Sequence, residues 1–230
     1  MSTVVDKLNY LKETKTAIRN ALVEKGVEVA DSDTFRSYAQ KVVDIPVGGG
    51  DIDTLIDRSI TEISSSVTSI GIRAFSSCKK LVSANFPNAT SIEESGFGSC
   101  SALRSVSFPV TTSISDFAFF TCSALTSVSF PATTSIGKQS FYNCSALTSV
   151  SFPVITSIES EAFSFCSALT TMYIGIESGT VCTLLSTDAL NQCVRLTDIY
   201  VPEALVDSYK SATNWSNFAD KIKAYTGETA

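Results

Sequence analysis

The chain has 230 residues, with 17 basic and 23 acidic side chains and no histidine. A formal charge of −6 excludes the basic footprint that a nucleic-acid surface needs. The missing histidine removes the usual general base, the Ser-His and Cys-His nucleophile pairs and the commonest metal ligand.

The chain opens Met1-Ser2-Thr3-Val4-Val5-Asp6-Lys7. No cationic stretch leads into an apolar core, so no signal peptide is read here. No apolar run approaches the ~20 residues of a membrane span, so no membrane insertion is expected. Thr3 to Asp6 resembles a capping box with Asp in place of Glu. Val4, Leu8, Leu11, Ile18 and Leu22 then fall at helical spacing, and Gly26 is a helix stop. A second short helix is predicted from Asp33 to Val43, presenting Phe35, Tyr38 and Val42 and ended by Pro46. Residues 1–47 are therefore expected to form a helical hairpin. Its apolar faces either meet each other or serve attachment and homo-oligomer formation, since so small a unit buries little surface alone. Gly48, Gly49 and Gly50 form a linker signal. Asp51, Asp53 and Asp57 do not match a calcium-loop spacing and are read as the start of an N-terminal cap on the repeats.

Residues 51–202 are repetitive, and their period is the main feature of the sequence. Cys78, Cys100, Cys122, Cys144 and Cys166 recur in one phase. Ile70, Ile92, Ile114, Ile136 and Ile158 keep a second phase, and Phe75, Phe97, Phe119, Phe141 and Phe163 a third. Leu81, Leu103, Leu125, Leu147 and Leu169 follow the cysteines. Phe86, Phe108, Phe130 and Phe152 each precede a proline. A diverged last unit carries Leu185, Leu190, Cys193, Leu196, Ile199, Val201 and Pro202, after an insertion around Gly175–Val181. Within a unit, Val150 and Phe152 alternate with serines, the period of a half-buried strand that Pro153 stops. The segment Ser140–Asn143 suits a turn on the return side. One strand and one return per unit is the geometry of a solenoid, whose units fold by stacking.

Residues 203–230 are expected to cap the last coil with helix. Pro202 and Glu203 suit a first helical turn. The helix would carry Leu205, Val206 and Tyr209, with Trp215, Phe218 and Ile222 on a final helical segment and Trp215 read as a packing residue of the cap.

The cysteine ladder invites a metal or redox reading. Zinc ligands must converge within about 2.3 Å of one ion, whereas cysteines one per coil lie ~4.8 Å apart along the stack. The ladder is read as reduced thiols filling a small core position, with no metal and no cofactor. Glu93-Glu94 and the pair Glu159 and Glu161 lack partners that would tune them for acid–base work. No catalytic residue is assigned.

The outward strand positions are the better candidates. Ser105, Ser107, Ser127, Ser129, Ser149, Ser151, Thr171, Tyr173 and Tyr200 would stack into one hydroxyl-bearing face with aromatics at its end. The serine and threonine excess, about a quarter of the chain, is read as largely that solvent face. A second candidate is the return side, where Phe120, Tyr142 and Phe165 follow the repeat phenylalanines. They form an apolar patch if exposed, or cover the cysteine ladder if not.

The unit Ser-Ile-x-x-x-(Ala)-Phe-x-x-Cys-x-x-Leu-x-x-Val-x-Phe-Pro, cleanest from Ser135-Ile136 to Phe152-Pro153, resembles the BspA-like leucine-rich repeat. The resemblance implies a right-handed α/β solenoid of about six coils, without enzyme activity. It also implies a surface or extracellular protein that binds another protein or a cell-surface glycan. The segments Leu8–Ile18 and Tyr200–Tyr209 are similar to flanks of such repeats in gut-bacterial and bacteriophage proteins, which adds a virion-associated location on a phage tail. Two functions are carried forward: recognition through the strand face, and a structural spacer or oligomerisation scaffold with no dedicated ligand.

Overall fold

The computed structural model describes residues 60–227. The expected hairpin of residues 1–47, the linker 48–50 and the acidic cap at Asp51, Asp53 and Asp57 lie outside the described residues.

The repeat folds as stacked coils with two strands each, not one. The first strand of each coil is β1 (Glu62–Ser64), β3 (Ser83–Asn85), β5 (Ser105–Ser107), β7 (Ser127–Ser129), β9 (Ser149–Phe152), β11 (Thr171–Ile174) and β13 (Asp198–Pro202). The second is β2 (Ser69–Ile70), β4 (Ser91–Ile92), β6 (Ser113–Ile114), β8 (Ser135–Ile136), β10 (Ser157–Ile158) and β12 (Thr183–Leu184). All pairing is parallel, and equivalent residues of adjacent coils lie side by side, as Ser135 beside Ser157 and Val128 beside Val150. The short strands form one six-stranded sheet, β12-β10-β8-β6-β4-β2. Two residues are too few to show alternation, so the recurring Ser-Ile pairs carry no strand signature in the sequence.

The return from the short strand to the next long one is a run of turns. Its backbone needs two left-handed residues per coil. One series is Arg73, Ser95, Phe117, Gln139 and Glu161, with φ of 53–57°. The other is Ser77, Ser99, Thr121, Asn143, Phe165 and Gln192, with φ of 56–63°. These conformations turn alternate N–H groups toward the next coil. Phe75 donates to Gly96 O at 2.7 Å, Phe97 to Ala118 O at 2.7 Å and Phe119 to Ser140 O at 2.7 Å. The left-handed region normally costs an L-residue ~1–2 kcal/mol, and this ladder of cross-coil bonds offsets it.

Two columns of phenylalanine fill the core. Phe75, Phe97, Phe119, Phe141 and Phe163 stack with centroids 5.0–5.3 Å apart. Phe86, Phe108, Phe130 and Phe152 stack at 5.4–5.9 Å. Every one of these rings is fully buried. Dispersion and apolar burial therefore run unbroken along the axis.

The C-terminal cap differs from the expected all-helical one. It comprises a 3₁₀ turn at Glu203–Leu205, one short helix α1 (Val206–Ser211), a second 3₁₀ turn at Trp215–Phe218 and a strand β14 (Ile222–Tyr225). Ile222 is thus in a strand, not a helix, and β14 pairs in parallel with β13. An exposed β13 would leave a row of unpaired backbone groups, and β14 hydrogen-bonds to that row as a further strand. Trp215 is the packing residue expected of it: it is fully buried and donates Nε1–H to Cys182 O at 2.7 Å. Tyr209 lies against Trp215 in a T-shaped contact, and its hydroxyl accepts the Cys182 N–H at 2.9 Å. The insertion passes beside this hydroxyl at Gly175, whose φ of +60° and close approach to Tyr209 suit glycine.

One flaw in the core is local to a single coil. The Ser140 hydroxyl is buried without a hydrogen-bond partner. Ala74, Ala118 and Ala162 occupy the equivalent position in other coils. Ser140→Ala is expected to raise stability by about 1 kcal/mol, because it removes a desolvated hydroxyl without losing a bond. An increase in the urea midpoint at unchanged slope would bear this out, and a decrease would contradict it.

Candidate functional site

The first-strand face presents the residues singled out from the sequence. Alternation along each strand puts Val128 and Phe130 in the core and Ser127 and Ser129 in solvent. On the five-stranded sheet β14-β13-β11-β9-β7, two outward columns form. Ser127, Ser149, Thr171 and Asp198 make one column. Ser129, Ser151, Tyr173, Tyr200 and Lys223 make the other. Seven of the nine predicted residues therefore share one sheet. Ser105 and Ser107 do not: their strand β5 belongs to a separate three-stranded sheet, β1-β3-β5.

The two sheets part at a seam between β5 and β7. Elsewhere the long strands are tied by amide bonds, such as Phe86 N to Ser107 O at 3.0 Å and Phe130 N to Ser151 O at 3.0 Å. The matching bond from Phe108 to Ser129 is absent, and so is that from Thr126 N to Arg104 O. A long contact from Thr126 Oγ1 to Arg104 O, at 3.5 Å, remains. A cleft of about 330 Å³ opens there, lined by Ser105, Ser107, Pro109, Ser127, Ser129 and Pro131.

At the far end the face is aromatic. Tyr173 and Tyr200 stack with centroids 5.2 Å apart, and Tyr225 meets Tyr173 edge-on at 6.0 Å. All three are half-buried. Lys223 forms an ion pair with Asp198 beside them and holds that carboxyl below its usual range. Reading Ile222 as helical hides Tyr225 and Lys223 as site residues. The alternation of Ile222-Lys223-Ala224-Tyr225 is the signal that could have found them.

Much of the threonine excess is structural. Thr148, Thr170 and Thr197 each donate Oγ1–H to the preceding coil's carbonyl, at 2.9, 3.1 and 3.4 Å. Thr112, Thr134 and Thr156 repeat the arrangement beside the second strands, at 3.1, 3.1 and 2.8 Å. These hydroxyls add cross-coil bonds rather than free contact groups.

On the return side Phe120 stacks on Tyr142 at 5.2 Å, and Tyr142 meets Phe165 at 5.2 Å. Phe120 and Tyr142 are half-buried and Phe165 is exposed, so the rings form a ribbon on the surface. The cysteines lie elsewhere, and Cys100, Cys122, Cys144, Cys166 and Cys193 each donate S–H to a phenylalanine carbonyl of the coil before. Cys100 donates to Phe75 O at 2.9 Å, Cys122 to Phe97 O at 3.1 Å and Cys193 to Phe163 O at 3.1 Å. No disulfide joins any of the seven. Burial pushes the thiols of Cys122, Cys144 and Cys166 up, and those of Cys182 and Cys193 up to about 12. A thiol so held is not a nucleophile at neutral pH. Among the described residues, no group of three or more His, Cys, Asp or Glu side chains is placed to hold a metal ion. Nor is any described helix long and apolar enough to cross a membrane.

The thiol assignment has a direct readout. At pH 8 the native protein is expected to take up at most one alkyl group from iodoacetamide, at half-buried Cys193, and the urea-unfolded chain all seven. Rapid native alkylation of several cysteines, seen by intact mass, would contradict a buried thiol ladder.

The comparisons agree with this architecture. A model of the BspA-type leucine-rich repeat region matches residues 57–170 and 90–220, with 6 copies. The fold resembles the crystal structure of a leucine-rich repeat protein of T. pallidum, at 22% identity and a TM-score of 0.58, over 74% of this chain and 86% of that one. It also resembles a leucine-rich cell surface protein of Faecalibacterium prausnitzii, at 29% identity and a TM-score of 0.50. That match covers 61% of this chain and 38% of the other, so the chain spans well under half of that protein's length. No curated protein matches the sequence significantly. Repeats of this type generally serve as non-enzymatic binding modules. With its period, its two-strand coils and the repeat model in accord, this chain belongs to the BspA-type leucine-rich repeat family.

Proposed function

We propose that the protein is a non-enzymatic recognition module that binds a protein or glycan through its first-strand face, on a bacterial surface or a phage tail structure. The observation that carries this reading is the five-stranded face. It is hydroxyl-bearing, and it ends in the contacting tyrosines Tyr173, Tyr200 and Tyr225. Tyrosine supplies large contact area at small conformational cost, and neighbouring serines supply adaptable hydrogen bonds. The parallel stack gives the face its rigidity, so little ordering entropy is lost on binding. The surface location is supported by the F. prausnitzii relative, which is described as a cell surface protein.

Binding energy in such faces concentrates in aromatic anchors. The full chain is to be tested against intact bacterial and host cells and against a glycan array. Tyr173→Ala combined with Tyr200→Ala is expected to weaken the strongest interaction at least tenfold, with thermal unfolding still cooperative. Bulky replacements at Ser127 and Ser149 are expected to do the same by blocking close approach. Unchanged binding to every target by both variants would overturn the assignment of the face.

A further inference from the structure

The seam between β5 and β7 is a break in one side of an otherwise continuous stack. On the side away from the strand face the same two coils are fully tied. β6 pairs with β8, and Thr134 N donates to Thr112 O at 2.9 Å. Along the return, Phe117 N reaches Lys138 O at 2.9 Å, Phe119 N reaches Ser140 O at 2.7 Å and Thr121 N reaches Tyr142 O at 2.8 Å. The core between them stays closed. Phe108 and Phe130 stack at 5.9 Å, against 5.4 Å for the pair before and 5.7 Å for the pair after. Inserting a further strand between β5 and β7 would need two strand spacings, ~9.6 Å. The gap is therefore a wedge at the surface and not a slot for a missing strand.

Parallel coils bonded along one edge and unbonded along the opposite edge have a soft bending direction. Bending about the bonded edge breaks no amide bond at the seam, because the Phe108–Ser129 and Thr126–Arg104 bonds are not made there. Bending between β7 and β9 would break the ladder that joins Ser127–Ser129 to Ser149–Ser151. The cleft lined by Ser105, Ser107, Ser127 and Ser129 supplies hydroxyls and room for solvent as the edges separate.

We infer that this seam is a hinge, about which the three-stranded plate β1-β3-β5 and the five-stranded plate that begins at β7 change their mutual angle. The return side is its axis and the strand face its opening edge. The hinge holds whether or not the strand face binds a partner. If the face does bind, the hinge sets how its curvature adapts.

Nuclear magnetic resonance of the isotope-labelled full chain tests this without any variant. The amides of Phe108 and Thr126 are expected to exchange with solvent at least tenfold faster than their counterparts Phe130 and Thr148. In the same coils, Phe119 and Thr121 should keep the protection of the core. Microsecond-to-millisecond relaxation dispersion should be found in β5 and β7 and be absent from β9 and β11. Equal protection of Phe108 and Phe130 would mean that the seam is closed, and would overturn the hinge. Fast exchange with flat dispersion would mean a rigid gap, and would overturn it as well. Equally fast exchange of Phe119 and Thr121 would mean whole-coil unfolding in place of bending, which also contradicts a hinge. None of these outcomes depends on ligand binding, so failure here leaves the proposed recognition function to its own test.

Discussion

The structure depends on register: each residue of a coil lies beside its equivalent in the next, and the contacts between coils are made in that register. Parallel strands, forward-pointing return amides, threonine hydroxyls and cysteine S–H donors all bond to a neighbouring coil's carbonyls. The phenylalanine columns stack only if that register holds. A single coil has little of this, since its donors and rings find their partners outside it. Stability is therefore shared between neighbours, as expected of a quasi-one-dimensional array.

The same constraint explains where the sequence is transparent and where it is opaque. Residues that must be apolar and of fixed size recur visibly, so the phases of Phe119, Cys122, Leu125 and Val128 can be read directly. Left-handed backbone is usually signalled by glycine or asparagine. Here it is held by Phe117, Thr121 and Glu161 because cross-coil amide bonds offset its cost, and the turn geometry is not foreseeable from residue type. The second strand escapes notice because Ser-Ile pairs are too short to alternate. The last strand escapes because Trp215, Phe218 and Ile222 fall at helical spacing, while Ile222–Tyr225 is held as a strand by pairing with β13, a tertiary contact. Within the site, extending the outward alternation finds Tyr173 and Tyr200, and Tyr225 is lost with the strand that carries it. Ser105 and Ser107 share the outward phase with the others, but pairing between β5 and β7 is a tertiary fact that alternation does not report.

The composition that first looks chemical is largely architectural. Five of the seven thiols occupy small core positions and donate to phenylalanine carbonyls. Many threonines donate to backbone carbonyls. What remains for contact is narrower than the serine and threonine count implies: the outward serines of the first strands, the terminal tyrosines and the ribbon of Phe120, Tyr142 and Phe165. A chain built this way offers shape and surface, which accords with its membership of a family of interaction repeats.

The central claim is that register between coils, more than any one side chain, specifies the fold. Equivalent bonds recur at a separation of 22 residues, as from Thr112 Oγ1 to Thr90 O. Excising residues 101–122 removes one whole period and rejoins Cys100 to Ser123 in phase. Excising residues 101–111 removes half a period and throws the later coils out of phase with those before the cut. Far-UV circular dichroism with urea unfolding compares the two. A single cooperative transition is expected for the first chain, at somewhat lower stability than the full chain. The second chain, although it loses fewer residues, is expected to have the lower urea midpoint, because its coils cannot pair across the junction. A midpoint for the half-period deletion equal to or above that of the whole-period deletion would contradict register as the determinant of the fold.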